Sequence, residues 1–122
     1  KLMTTTTATR KDVVQKVNDA FASNRLEDFL ACCADDGEWV MVGDRTVKGK
    51  DEIRKWMGSV PAEPPRFEVD AIVAEGDYVV CYGDMTMKEG SDTVPYSYCD
   101  TYRFEGDQIK EMRSYVIKTA GK

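Results

Sequence analysis

The stretch Tyr96-Ser97-Tyr98-Cys99-Asp100-Thr101-Tyr102-Arg103-Phe104 alternates between two kinds of side chain. Its even-numbered positions are aromatic except for Asp100, and its odd-numbered positions are mostly polar. Because successive side chains of a β-strand point to opposite faces of the sheet, this alternation predicts a half-buried strand with Asp100 on the apolar face. An ionised carboxylate among aromatic rings is unfavourable without a partner, so Asp100 is the first candidate for a functional residue.

A purely structural role is the alternative for Asp100. Its carboxylate would then accept a hydrogen bond from Tyr98 or Tyr82, or form an ion pair with Arg113 or Arg54, and serve packing alone.

The chain around this strand reads as a series of strands and turns. Strands are predicted at 67–75, 78–88, 93–104 and 108–118. The sequences between them, Glu75-Gly76-Asp77, Glu89-Gly90-Ser91 and Glu105-Gly106-Asp107, are typical of tight turns. Strands joined by such turns pair antiparallel, so the second half of the chain is predicted to form a four-stranded meander.

The first half of the chain shows helical spacing of apolar residues. A first helix is predicted to start near Thr9, with Thr9 and Asp12 as its N-terminal cap, and to end at Asn24. A second, shorter helix is predicted to stop at Asp35-Asp36-Gly37 and a third to begin after Gly49, with a short strand at 38–42 between them. The apolar residues that define the three helices are Val13, Val17, Ala20 and Phe21; Leu26, Phe29, Leu30 and Cys33; and Ile53, Trp56, Met57 and Val60. Pro61, Pro64 and Pro65 end the third.

Helices followed by strands favour an α+β fold, with three N-terminal helices packed on one face of a curved antiparallel sheet. The length of 122 residues suits a single domain, predicted at 9–120, after a flexible N-terminal tail at 1–8. In that tail, Lys1 and Leu2 precede Met3 and are interpreted as residues added before the natural start.

Composition excludes several classes of function. The net charge of −5 argues against nucleic acid as a partner. No apolar run approaches a membrane span, so the chain is expected to be cytoplasmic and not bound to a membrane. The four cysteines show no Cys-x-x-Cys spacing and there is no histidine, so we expect no metal site, no cofactor and reduced thiols.

Five segments carry a resemblance to a known family. They are Ala34-Asp35-Asp36-Gly37-Glu38-Trp39, Gly49-Lys50-Asp51-Glu52-Ile53, Phe67-Glu68-Val69, Glu75-Gly76-Asp77 and the segment from Asp100 to Ile109. With them the chain resembles the SnoaL-like branch of the nuclear transport factor 2-like superfamily. The resemblance implies a cone, formed by a strongly curved sheet closed by helices, with an internal pocket at its wide end.

The resemblance also implies a small-molecule site in that pocket. Asp100 would be the catalytic acid or base and Asp84 a second carboxylate. The ligand-binding residues would be Val17, Trp39, Met41, Trp56, Tyr82, Tyr98, Tyr102, Met112 and Ser114. Isomerases, cyclases, hydratases and epoxide hydrolases of this kind act on small apolar substrates without a cofactor. The alternative is a non-catalytic module of the same fold that binds an apolar ligand or dimerises.

Two arguments place Asp84 on opposite faces of the predicted sheet. Periodicity alone buries Val79, Cys81, Met85 and Met87 and turns Asp84 to solvent. The resemblance instead places Tyr82 and Asp84 in the pocket. Those four apolar residues would then lie on the outer face of the sheet with Cys99, Tyr115 and Ile117. So apolar a patch predicts a homodimer through the outer sheet face.

Overall fold

The strands of this chain form one curved six-stranded sheet with the helices on its concave side. The computed structural model describes residues 7–59 and 63–119. Along the chain the elements are α1 (Thr7–Ala22), α2 (Leu26–Leu30), β1 (Cys33–Met41), β2 (Arg45–Lys48), α3 (Lys50–Gly58), β3 (Arg66–Glu75), β4 (Tyr78–Glu89), β5 (Asp92–Glu105) and β6 (Gln108–Lys118). The predicted α+β class and the meander of the last four strands are confirmed.

The strand order is β2-β1-β6-β5-β4-β3. All neighbours pair antiparallel except β1 and β6, which run parallel with Trp39 opposite Met112 and Met41 opposite Ser114. The predicted curved antiparallel sheet is confirmed, and the parallel pairing of β1 with β6 is a feature that was not predicted. Turn signals reveal the direction of strands that are adjacent in sequence, and β1 and β6 are far apart along the chain.

The first half of the chain differs from its prediction in three places. Helix α1 begins at Thr7, so Thr9 lies inside it and is not its cap. Helix α2 ends at Leu30, and Cys33 opens β1, which contains Asp35-Asp36-Gly37 at an irregularity in its pairing with β6. Strand β2 was not predicted. The predicted end of the third helix, at Val60 and Pro61, lies outside the described residues. So do residues 1–6 of the predicted tail.

Burial along β4 follows the simple periodicity of its sequence. Its buried residues are Val79, Cys81, Gly83 and Met85, and they face the helices. Tyr82 is exposed and Asp84 is half-buried, on the opposite face. The placement of Tyr82 and Asp84 inside the cone, and of Val79, Cys81 and Met85 on its outer face, was therefore wrong.

Helix α1 is fixed to the sheet by Arg10. Its guanidinium donates to the carbonyl oxygens of Gly76 (2.8 Å) and Gly106 (2.9 Å), and it pairs with Asp77 at 3.0 Å. It also lies over the ring of Phe104. One cation thus holds the start of the helix against the β3–β4 and β5–β6 turns. No helix within 7–59 and 63–119 is both long and apolar enough to cross a membrane.

The sheet bends where β3 crosses Gly83. The pairing of β3 with β4 shifts between Val69 and Ala71, which leaves Asp70 as the extra residue of a β-bulge. A Cβ atom at position 83 would lie 2.0 Å from the carbonyl oxygen of Glu68 and 2.9 Å from the amide nitrogen of Asp70. Only glycine lets the two strands approach this closely at the bulge.

Gly83→Ala is expected to destabilise the protein by about 3 kcal/mol or more, because the clash is with backbone that cannot move aside. The matched control is Gly58→Ala at the end of α3, where a Cβ meets no atom within 4 Å. That control should change the free energy of unfolding by less than about 1 kcal/mol. Urea denaturation of both variants tests the point, and equal stabilities would show that β3 does not press on Gly83.

Candidate functional site in the aromatic interior

Asp100 lies in the middle of β5 and points toward the helices. Its neighbours across the sheet are Cys81 in β4 and Ser114 in β6, so the three side chains form a row on the inner face. Asp100 is 6% exposed. A carboxyl group is therefore held within the core, as the alternation of this strand indicated.

The hydrogen bond from Ser114 is the polar contact that stabilises the Asp100 carboxylate. Neither proposed arginine reaches it. Arg54 pairs with Glu27 and Asp51, and Arg113 donates to the Tyr115 hydroxyl on the outer side of β6. Among residues 7–59 and 63–119, no lysine or arginine is within ion-pair distance of Asp100. The structural alternative of a buried ion pair is thus excluded for this part of the chain.

Burial determines the protonation of Asp100. Desolvation raises the pKa of its carboxyl to about 7, against the smaller lowering effect of the Ser114 hydrogen bond. The acid and its conjugate base are then both populated near neutral pH. Such a group can accept a proton and return it without a large energetic cost in either direction.

The other polar groups of this interior are neutral donors. Burial raises the pKa of the Tyr98 and Tyr102 phenols and of the Cys81 thiol, and the charge of Asp100 adds to each effect. The Tyr98 hydroxyl lies 3.8 Å from the Cys81 sulfur, which also accepts from Asn18 Nδ2 at 3.5 Å. The Tyr102 hydroxyl is fully buried and has no hydrogen-bond partner among the described residues. An unpaired buried hydroxyl is costly, so this group is available to a ligand or a water molecule.

An aromatic cluster covers the row on the side of β1. The indole of Trp39 lies 5.7 Å from the ring of Phe21, 5.5 Å from Phe29 and 5.6 Å from Trp56. Its Nε1 donates to Ser114 Oγ at 2.8 Å. We refer to Phe21, Phe29, Trp39 and Trp56 as the aromatic cluster. It links the helices to Asp100 through Ser114.

The sequence-predicted site residues separate into two groups. Those that share the inner face or the aromatic cluster with Asp100 are Val17, Trp39, Met41, Trp56, Tyr98, Tyr102, Met112 and Ser114. Tyr82 and Asp84 lie on the outer face, where Ser97 donates to Asp84 at 3.0 Å. The two carboxylates therefore do not form the expected dyad.

Sequence reasoning missed Cys81 as a neighbour of the carboxyl and Asn18 as a partner of Cys81. Cys81 was assigned to the outer face, although its alternation with Val79 and Met85 indicated burial. Asn18 follows the buried Val14 by one helical turn and so points at the sheet. A polar residue one helical turn after a buried apolar one was the signal that could have identified Asn18.

The site is closely packed. Val17 and Tyr102 have no exposed surface, whereas Trp39, Met41 and Trp56 are half-buried. One surface groove of about 520 Å³ lies beside Phe67, Asp84 and Tyr96. Another of about 600 Å³ lies between β2 and α3 and is lined in part by Trp56 of the aromatic cluster. Neither is lined by Asp100. Within the described ranges, no group of three histidine, cysteine or acidic side chains could hold a metal ion.

Solved structures similar to this chain share its architecture. An NTF2-like protein of unknown function from Cytophaga hutchinsonii is 26% identical, with a TM-score of 0.74 over 88% of this chain and 99% of the other. An NTF2-like protein of unknown function from Burkholderia pseudomallei is 21% identical, with a TM-score of 0.81 over 87% and 88%. An LEH-like epoxide hydrolase of M. tuberculosis is 17% identical, with a TM-score of 0.81 over 90% and 84%.

The last two likenesses, at such low identity, establish the fold and not an activity. No curated protein matches the chain. The sequence profile of the SnoaL-like domain, in contrast, matches residues 14–112, which include β1 to β5, Asp100 and the aromatic cluster. From this match and from the cone built around Asp100, the chain belongs to the SnoaL-like domain family.

Proposed function

We propose that this protein binds a small, largely apolar molecule in the interior beside Asp100 and catalyses proton transfer on it without a cofactor. The reaction is of the isomerase, cyclase, hydratase or epoxide-hydrolase type. The observation that carries the proposal is a carboxyl group, 6% exposed, with a pKa raised to about 7 and no cation beside it among the described residues. A carboxyl group in such surroundings lowers the free energy of unfolding. Proteins retain destabilising groups of this kind mainly where function needs them.

Asp100 acts in this proposal as the general base and then as the general acid. As a carboxylate it removes a proton from a carbon or hydroxyl of the ligand, and as the acid it returns that proton to another atom. For an isomerisation or cyclisation the proton count then balances within the substrate. A pKa near 7 matches both steps to the working pH.

Tyr102 supplies the second functional group. Its hydroxyl is buried without a partner, two residues beyond Asp100 on the same face, and its raised pKa keeps it a donor at neutral pH. A carbonyl, epoxide or hydroxyl oxygen of the ligand would accept this hydrogen bond. Negative charge that develops on that oxygen during proton transfer would be stabilised there.

The half-buried side of the interior provides the route of entry. Trp39, Met41 and Trp56 are partly exposed, while Val17, Tyr102 and Met112 lie deeper. A ligand would displace Met41, leave Trp39 in place against Ser114, and rest on the deeper side chains. The similarity to an LEH-like epoxide hydrolase supports small-molecule chemistry in this fold. The close packing at Asp100 makes the non-catalytic module the competing outcome of the experiment below.

The proposal is tested by incubating the protein in D₂O with a panel of cyclic enones, ketones, quinones and epoxides of roughly 10–15 non-hydrogen atoms. Deuterium incorporation or product formation is followed by mass spectrometry. Asp100→Asn is expected to slow the reaction of any turned-over compound by about 100-fold or more, because it removes the acid–base group.

Asp84→Asn is the matched control, since it removes a carboxylate from the outer face. It should leave turnover unchanged. Tyr102→Phe should weaken binding of an oxygen-bearing compound by about tenfold while keeping the oxygen-free analogue within about twofold. Equal rates for wild type and Asp100→Asn, or binding without turnover of any compound, would refute catalysis and leave the non-catalytic module.

A homodimer through the outer sheet face completes the proposal. Large apolar side chains are exposed on that face, with Val73 at 56%, Tyr82 at 45%, Tyr115 at 37% and Ile117 at 66% exposure. Cys99 lies among them. A contiguous patch of this kind is typical of a contact surface, and a second copy of the chain would bury it.

The free state of all four cysteines accords with a cytoplasmic protein.

Analytical ultracentrifugation at about 10 μM is expected to show a dimer for the wild type, as for interfaces of ordinary size. Ile117→Asp should give a monomer, because it places an unpaired charge in the contact. Val69→Asp is the control, since Val69 is 44% exposed and pairs with Gly83, on the face of the sheet opposite the proposed contact. A monomeric wild type would overturn the dimer and leave the proposed chemistry untouched.

A further inference from the structure

Ser114 sits between Trp39 and Asp100. Its Oγ accepts a hydrogen bond from Trp39 Nε1 at 2.8 Å, and its Cα is the neighbour of Asp100 across the β5–β6 pairing. An indole N–H can only donate, so Ser114 must be the acceptor in that bond. The single proton of the Ser114 hydroxyl is therefore left for another group, and it goes to the Asp100 carboxylate.

The direction of the Trp39 N–H is fixed by packing. Phe21 lies nearly parallel to the indole, at an interplanar angle of 23°, while Phe29 and Trp56 contact it edge-on at 68° and 77°. A ring enclosed on three sides cannot turn without disturbing the aromatic cluster. Its N–H therefore stays on Ser114, and a hydrogen bond received by a hydroxyl strengthens the one it donates.

We infer that Trp39 is a positioning residue for Asp100: its indole N–H orients the Ser114 hydroxyl so that the hydroxyl proton points at the carboxylate. This inference rests on the proposed function, because it specifies what keeps the proposed base partly ionised in an apolar interior. Without the Trp39 N–H, the Ser114 hydroxyl is free to turn and to accept a hydrogen bond from the O–H of the neutral acid. The neutral form of Asp100 is then favoured.

Among the described residues, the groups that face Asp100 do not offer another source of charge. Cys81 faces it from β4, Tyr98 and Tyr102 from its own strand, and Ser114 from β6. Helix α1 contributes Asn18, through Cys81. Burial raises the pKa of the thiol and of both phenols, so all three are neutral at pH 7. The Trp39-Ser114 chain is thus the device in this interior that favours the carboxylate.

The test is a ¹³C NMR titration of the aspartate carboxyl carbons between pH 4 and 9, with Asp100→Asn to assign the resonance. Trp39→Phe is expected to raise the pKa of Asp100 by about 0.5, and Ser114→Ala by about 1. In the Ser114→Ala background, Trp39→Phe should move that pKa by less than about 0.2, because its effect passes through the hydroxyl. Trp56→Phe, which changes a ring of the same cluster without touching Ser114, should also move it by less than about 0.2.

A second replacement of Trp39 separates the effect of losing the N–H donor from the effect of losing packing. Replacing Trp39 by 3-benzothienylalanine keeps the size of the ring and removes the N–H donor, and it should raise the pKa as Trp39→Phe does. No change with either replacement, or an equal change in the Ser114→Ala background, would overturn the inference. The titration needs no ligand, so it is separable from the proposed function: Asp100→Asn without effect on turnover would remove the catalysis and leave this coupling standing.

Discussion

The free-energy cost of holding the Asp100 carboxyl in a nearly dry interior is the constraint on which the site depends. Desolvation raises its pKa to about 7, and one hydroxyl opposes that effect. The position is the centre of β5, between β4 and β6, on the face of the sheet that holds the apolar core. The packing that stabilises the fold therefore also sets the pKa of the Asp100 carboxyl.

The strands of the second half could be predicted almost to the residue, because alternation and Gly-containing turns are local signals. The first half was harder for physical reasons. Asp35-Asp36-Gly37 has the composition of a helix stop, yet it lies in β1, where pairing with β6 outweighs local preference. The short β2 has no alternation of its own, and the parallel contact of β1 with β6 depends on the path of the whole chain.

For the candidate site, the resemblance to the family and the periodicity of the sequence predicted different faces of the sheet for some residues. For β5 both placed Asp100, Tyr98 and Tyr102 on the inner face. For β4 the resemblance placed Asp84 inside, whereas the pattern of Val79, Cys81 and Met85 placed it outside, and the structure follows the pattern. The hydrogen bond between Trp39 and Ser114 could not be predicted, since it joins strands 75 residues apart and depends on a side-chain rotation. Membership of the SnoaL-like family gives the cone, and the particular residues of this interior give the chemistry proposed for it.

The most direct test of the central claim is the free energy of unfolding of the wild type and of Asp100→Asn, measured by urea denaturation from pH 4 to 8. A carboxyl whose folded pKa lies near 7, above its usual 3.8, keeps its proton in the folded state while the unfolded chain loses it. The wild type then loses stability as the pH rises through this window, and the asparagine variant does not. The difference should be small near pH 4, grow toward pH 7 to roughly 4 kcal/mol in favour of the variant, and level off above. A difference that is flat across the window, or that favours the wild type at pH 8, would mean that Asp100 is a compensated structural carboxylate.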